Sequence, residues 1–236
     1  MMDEARTLSV ARLGTADYAA ALQLQDAMVA ARMRDAIGDT LLLLEHPHVF
    51  TLGRGADERF LLNPPASVPV YRVSRGGQVT YHGPGQLVGY PILKLTGADR
   101  DVIHYLRRLE QAVIGSLGGF GILASRRAGL TGVWVGAEKV ASIGVGLRRW
   151  VTMHGFALNV TTDLRLFDAI VPCGIDGCRM TSIAALGHDR ISVTDVAGQI
   201  EREFAATFGY SRITPVSPQS SWNLVASATP GCEARG

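Results

Sequence analysis

Residues 75–92 read Arg-Gly-Gly-Gln-Val-Thr-Tyr-His-Gly-Pro-Gly-Gln-Leu-Val-Gly-Tyr-Pro-Ile. Five of the ten residues from Gly76 to Gly85 are Gly or Pro. Such a segment lets backbone approach a ligand closely, and its consecutive N–H groups can cradle an oxygen. The same glycines also suit a pair of plain turns joining two strands. No Gly-Lys-Ser/Thr follows, so this is not a phosphate-binding loop, and it does not match the GxGxxG dinucleotide pattern. The apolar run Leu87–Leu95 that leaves the segment reads as a strand. His82 sits between Tyr81 and Gly83, either as an acid/base group or as a turn residue bonded to backbone.

Working outward, short apolar runs bounded by Gly, Pro or His predict strands at Thr40–Leu44, Val49–Leu52 and Val68–Val73. A second block predicts strands at Gly132–Val135, Lys139–Leu147, Arg149–Met153 and Phe156–Val160, with a hairpin at Gly136-Ala137-Glu138. Three segments predict helices. Ala16–Arg34 is rich in Ala, Leu, Gln and Met, with Thr15 as cap. Asp99–Leu117 repeats apolar residues on one face, with Asp99 as cap and Gly118–Gly119 as stop. In Val193–Phe208, Val196, Ile200, Phe204 and Phe208 recur every four residues, with Thr194 as cap. Strands and helices come in unequal blocks. That favours an α+β fold with a mixed or antiparallel sheet over a doubly wound one. There is no repeat or clear linker, so one domain over residues 1–210 is expected. Residues 211–236 hold Ser, Pro and Thr without periodicity and are expected to form a loose tail.

The chain has 236 residues, 47% of them hydrophobic and 19% charged, with a net charge of +2. This composition excludes disorder, and the charge is too small and scattered for a nucleic-acid-binding stripe. No apolar run is long enough to cross a membrane, and residues 1–10 lack the apolar core of a signal peptide, so a cytoplasmic location is expected. The three cysteines, Cys173, Cys178 and Cys232, do not make a disulfide framework.

Cys173 lies in Val171-Pro172-Cys173-Gly174-Ile175, a sterically open setting for a nucleophile, although free cysteines are more often buried and inert. Lys94 and Lys139 are the two lysines among 23 basic residues. Where arginine fills nearly every basic position, a retained lysine suits a role that needs a proton to be lost. A nearby ammonium would lower a thiol's pKa, which makes Cys173 and Lys139 a coherent pair. His46-Pro47-His48 places two imidazoles close together without an evident third metal ligand, which favours a structural reading.

Five segments carry a resemblance to a known family: Leu42–Pro47 (LLLEHP), Arg75–Ile92, Lys139–Gly144 (KVASIG), His154–Asn159 (HGFALN) and Ile170–Ile175 (IVPCGI). Together they resemble the lipoyl(octanoyl) transferases, from about Gly14 to Gly209. The resemblance implies the biotin/lipoate protein ligase fold, a mixed sheet flanked by helices. It implies an acyl-thioester at Cys173, with Lys139 lowering that thiol's pKa. It places substrate contacts at Arg75, Gly76, Gly77, Gln78, Val79, Thr80, Tyr81 and His82, at Ser142, Ile143 and Gly144, and at Gly155, Phe156 and Ala157. No metal or cofactor is implied. The implied donor is octanoyl-acyl-carrier protein. The implied acceptors are lipoyl domains of 2-oxoacid dehydrogenases and the glycine cleavage H protein. No nucleic-acid or membrane partner is implied, and a monomer is expected. The alternatives are an ATP-dependent lipoate–protein ligase of the same fold and a non-catalytic acyl- or carrier-binding module. The arginine pair Arg148/Arg149 is the expected rim for an acidic carrier.

Overall fold

The computed structural model describes residues 6–175 and 177–228, with backbone alone for Cys173 and for 226–228. In chain order the strands are β1 (Thr7–Thr15), β2 (Thr40–Glu45), β3 (Val49–Leu52), β4 (Val70–Arg72), β5 (Val79–His82), β6 (Gln86–Ile92), β7 (Val133–Val135), β8 (Glu138–Arg148), β9 (Val151–Asn159) and β10 (Arg212–Pro215). The helices are α1 (Tyr18–Met33), α2 (Val102–Gly118), α3 (Val193–Phe208) and α4 (Pro218–Ala228).

Seven strands form one sheet in the order β10-β1-β2-β6-β9-β8-β7, and β4-β3-β5 form a second, smaller one. The large sheet is mixed. β1 runs parallel to both β10 and β2, whereas β2–β6, β6–β9, β9–β8 and β8–β7 are antiparallel. Both faces are covered, which is why burial along β2, β6 and β9 is continuous rather than alternating. Leu109, Val113 and Leu117 of α2 and Ile200 and Phe204 of α3 pack with Leu41, Leu87 and Leu158 on one face. Leu24 and Met28 of α1 pack with Leu42, Val88 and Ala157 on the other, where Trp222 of α4 joins them.

α3 spans the predicted Val193–Phe208, α1 and α2 start later than predicted, and the capping residue differs in all three. Asp17, not Thr15, caps α1 by accepting from the N–H groups of Ala19 and Ala20. Asp101, not Asp99, caps α2. Ser192, not Thr194, caps α3 in a reciprocal box with Asp195. The predicted strands Arg149–Met153 and Phe156–Val160 are one strand, β9, which continues through His154 at φ +56°. β5 lies inside the segment read as loop.

The expected loose tail is also corrected. β10 extends the large sheet beside β1, in register from Thr7↔Arg212 to Val10↔Pro215, and α4 packs on α1 and β1. Residues 229–236, with Cys232, lie outside the described residues. No described helix is long and apolar enough to cross a membrane.

Candidate active site

The glycine-rich segment forms one wall of a cleft between the small sheet and strands β8 and β9. Tyr18, Val79, Ile143 and Phe156 are among the residues that line it. The segment is held from inside by Arg75. Its Nη1 donates to the carbonyls of Gly76 (3.0 Å) and Gln78 (2.9 Å), and its Nη2 donates to the carbonyl (2.8 Å) and Oγ1 (2.9 Å) of Thr51. A guanidinium fork supplies this many fixed donors, and a point-charge ammonium does not. Opposite, β8 comes so close that a Cβ on Gly144 would stand 3.0 Å from the Gly76 carbonyl oxygen. A Cβ on Gly155 would stand 2.2 Å from the Gly89 carbonyl oxygen across the sheet. Close backbone approach requires the glycine at 155 and makes the contact at 144 tight.

Three imidazoles and two phenols gather at one end of this cleft. His46 is fully buried, with its Nδ1–H donating to the Ala16 carbonyl (2.8 Å) and its Nε2 accepting from the Tyr90 hydroxyl (2.8 Å). Tyr18 stacks on His82 with ring centroids 6.1 Å apart. His154 has its N–H bonded to Gln25 Oε1 at 2.7 Å, which stabilises its left-handed backbone. Burial pushes all three imidazoles down: His46 to about 4, His82 to about 3 and His154 to about 4. For His82 the neighbouring His46 adds to the effect, and for His154 the Arg75 cation does. All three are therefore neutral at pH 7. Burial likewise raises the Tyr18 hydroxyl to about 12.

Lys139 is fully buried, and its Nζ stands 5.1 Å from the centroid of the Trp134 ring. Its backbone is tied on both sides to the chain that follows Cys173. Lys139 N donates to the Arg179 carbonyl (2.8 Å), and Thr181 N donates to the Lys139 carbonyl (2.9 Å). Gly132, at φ +137°, lies against this side chain, and a Cβ there would meet Lys139 Cε at 2.5 Å. The backbone of Cys173 lies in a short 3-10 turn, Pro172–Gly174. That turn packs on β5, and a Cβ on Gly174 would meet Phe60 Cε2 at 2.7 Å and Gln78 Cγ at 3.0 Å. Gln78 itself lines the cleft, so the Pro-Cys-Gly turn stands at its edge.

Residues 17–205 match the model of the lipoyl protein ligase A/B catalytic domain. The chain belongs to the lipoyl protein ligase A/B catalytic-domain family. Among similar proteins, an octanoyltransferase of Solibacter usitatus is 51% identical over 90% of this chain and 98% of its own length. An octanoyltransferase of Gloeobacter violaceus is 50% identical over 83% of this chain and 88% of its own. Among solved structures, a lipoate-protein ligase A bound with ATP has the same fold, with a TM-score of 0.69 and 17% identity over 96% of each chain.

In this lipoyl protein ligase A/B domain, most of the residues expected at the substrate meet around one cleft. Arg75, Gly77, Gln78, Val79, Thr80 and His82 line it from the glycine-rich side, and Ser142–Gly144 and Gly155–Ala157 line it from β8 and β9. Two do not. Gly76 turns its N–H to the Val145 carbonyl (2.9 Å) and faces a neighbouring groove. Tyr81 points to the opposite side of β5, packs edge-on against Phe167, and bonds its hydroxyl to His48 Nδ1 (2.7 Å). His46 and His48 thus turn to different partners rather than to a common centre. The space left by Gly89 on β6 is filled by the Phe156 ring, which a Cβ there would meet at 2.2 Å.

Sequence reasoning missed Tyr18, Tyr90 and His154 as lining residues. Tyr90 stands inside the predicted strand Leu87–Leu95, and His154 stands in the break between the predicted strands Arg149–Met153 and Phe156–Val160. Tyr18 arrives from α1 through the tertiary fold, and no local signal marks it.

Proposed function

We propose that the chain is an octanoyltransferase that passes an octanoyl group from a carrier-protein thioester, through a thioester on Cys173, to a lysine amine of a lipoyl domain. The observation that carries this reading is the placement of the Pro172–Gly174 turn against Gln78 at the edge of the cleft. The match with octanoyltransferases over nearly their whole length supports it. Lys139, buried and fixed to the chain segment after Cys173, supports its role beside the thiol.

In the first step the Cys173 thiolate attacks the acyl carbonyl. A new C–S bond forms, the bond to the carrier's thiol breaks, and that thiolate leaves and takes up a proton. In the second step the neutral amine of the acceptor lysine attacks the Cys173 thioester. The C–N bond forms, the C–S bond breaks, and the proton lost by the amine passes to Lys139 as free base or to solvent. The first exchange replaces one thioester by another, and the second forms an amide from a thioester, which is downhill. Neither step requires ATP, and two separate half-reactions give ping-pong kinetics. The tetrahedral oxyanion needs N–H donors. Of the backbone N–H groups of Gly76, Gly77, Cys173 and Gly174, those of Gly76 and Gly174 point to the carbonyls of Val145 and Val171, so Gly77 and Cys173 are the donors proposed for the role.

The test is transfer from octanoyl-carrier protein to an isolated lipoyl domain with ATP absent. Transfer at full rate supports the reading. A strict requirement for ATP with free octanoate would instead make the chain a ligase. Absence of any acylated product in either assay would leave only a binding module.

A further inference from the structure

His82 is the one imidazole of the cleft whose tautomer is set entirely by side-chain amides. Its Nδ1 stands 2.8 Å from Gln86 Oε1. The orientation of each amide is fixed by groups whose hydrogen-bonding sense cannot be reversed. Two backbone carbonyls supply it. Asn159 stands 2.9 Å from the carbonyl oxygen of Thr181, which only accepts, so that amide must present Nδ2 there and turn Oδ1 to Gln86. Gln86 stands 2.9 Å from that Oδ1 and 3.2 Å from the Tyr81 carbonyl oxygen, so both contacts require its Nε2. Its Oε1 is therefore left facing His82, and the proton of the imidazole must be on Nδ1. All three side chains are buried, and no solvent competes for these bonds. The chain of bonds ends beside the reaction machinery, because the Thr181 N–H donates to the Lys139 carbonyl.

We propose that Gln86 and Asn159 are positioning residues that lock His82 as its Nδ1–H tautomer. His82 then presents an unprotonated Nε2 to the cleft as hydrogen-bond acceptor for an N–H of the incoming lysine amine. Among the described residues Nε2 has no hydrogen-bond partner, and His82 lines the cleft. The low basicity of this buried ring makes it an acceptor that orients the amine, directing the amine's lone pair at the thioester carbonyl, rather than a base that removes its proton. The tautomer lock follows from the hydrogen bonds alone, whereas the role toward the amine rests on the octanoyl-transfer reading.

Long-range ¹H–¹⁵N correlation spectra of the ¹⁵N-histidine-labelled protein at pH 7 test the lock, with His82 assigned by His82→Gln. The expected result is a single Nδ1–H tautomer for His82. An Nε2–H tautomer, a fast tautomeric average or a protonated ring would overturn the proposal. In Gln86→Leu the second tautomer should become populated. Single-turnover transfer from preformed octanoyl-enzyme to a lipoyl domain should fall about tenfold or more, with formation of that acyl-enzyme unchanged within about threefold. Unchanged transfer with a mixed tautomer, or equal loss in both half-reactions, would overturn the role toward the amine. Should Gln86→Leu not fold, His82→Gln is read in the same two half-reactions. If the wild-type protein transfers no octanoyl group, the proposed function fails, and the spectra still decide the lock.

Discussion

Lowering the pH from 7 to 5 should remove several kcal/mol of folding stability through three buried imidazoles. His46, His82 and His154 have pKa values near 4, 3 and 4 in the folded chain, against about 6.5 unfolded. A depressed imidazole pKa means that the unfolded chain binds more protons between the two values. Stability is thus fully present above pH 6.5 and is lost as pH falls toward the folded values. At about 1.4 kcal/mol per pH unit below 6.5, each group loses about 2 kcal/mol by pH 5. The three together lose roughly 5–6 kcal/mol, a large share of the ~5–15 kcal/mol typical of a domain. The carboxylates held low by arginine partners, such as Asp163 at about 2, titrate below this window and leave it to the imidazoles. Urea unfolding followed by fluorescence of the buried Trp134 at pH 7.5, 6 and 5 should show the midpoint falling by ~2 M. His154→Gln should remove about a third of that slope. A free energy of unfolding at pH 5 within about 1 kcal/mol of its pH 7 value would refute the burial argument.

Other expectations follow from the site's geometry. Lys139→Met conserves volume but removes the charge. Acyl-enzyme formation at pH 7 should fall by about 10²-fold or more with the fold retained, read by stopped-flow acylation. Gly132→Ala should act in the same direction, because its methyl would stand only 2.5 Å from Lys139 Cε and displace that side chain. Arg75→Lys should lower stability by about 2–4 kcal/mol in urea melts, since one ammonium cannot satisfy the carbonyls of Gly76, Gln78 and Thr51 together. The Arg148/Arg149 pair expected at the carrier rim is partly neutralised. Arg148 pairs with Asp26 at 2.8 Å, which leaves the exposed Arg149 as the rim charge to test. Arg149→Glu should flatten the ionic-strength dependence of kcat/KM for octanoyl-carrier protein while leaving that for a small octanoyl thioester unchanged.

Where structure follows from a local pattern, the sequence could be read directly. The apolar stripes of α2 and α3 face the sheet as their spacing requires, and β2, β3 and β6 are short apolar runs. The failures share a physical cause. β1 carries an arginine and a glycine, and it becomes a strand only because β2 and β10 pair with it on both sides. β5 hides among turn residues, and its pairing with β3 was invisible from the glycines. β10 and α4 have weak intrinsic signals and depend on packing against β1 and α1, as short helices generally do. At the site, the glycine-rich segment, β8 and β9 announced themselves by unusual residue strings. The Gln86–Asn159 amides did not, because a buried amide is recognised by what it bonds across 73 residues of sequence. Arg75 lines the cleft, and no local signal marks that its donors also hold the carbonyls of Gly76, Gln78 and Thr51.

The central claim is that Cys173 carries the acyl group. The most direct measurement is intact mass of the protein after mixing with octanoyl-carrier protein, without ATP, followed by peptide mapping. The expected result is the addition of one octanoyl group, located on Cys173, that disappears when a lipoyl domain is added and is absent in Cys173→Ser. A label on Cys178 or Cys232, or full transfer activity in Cys173→Ser, would contradict the account.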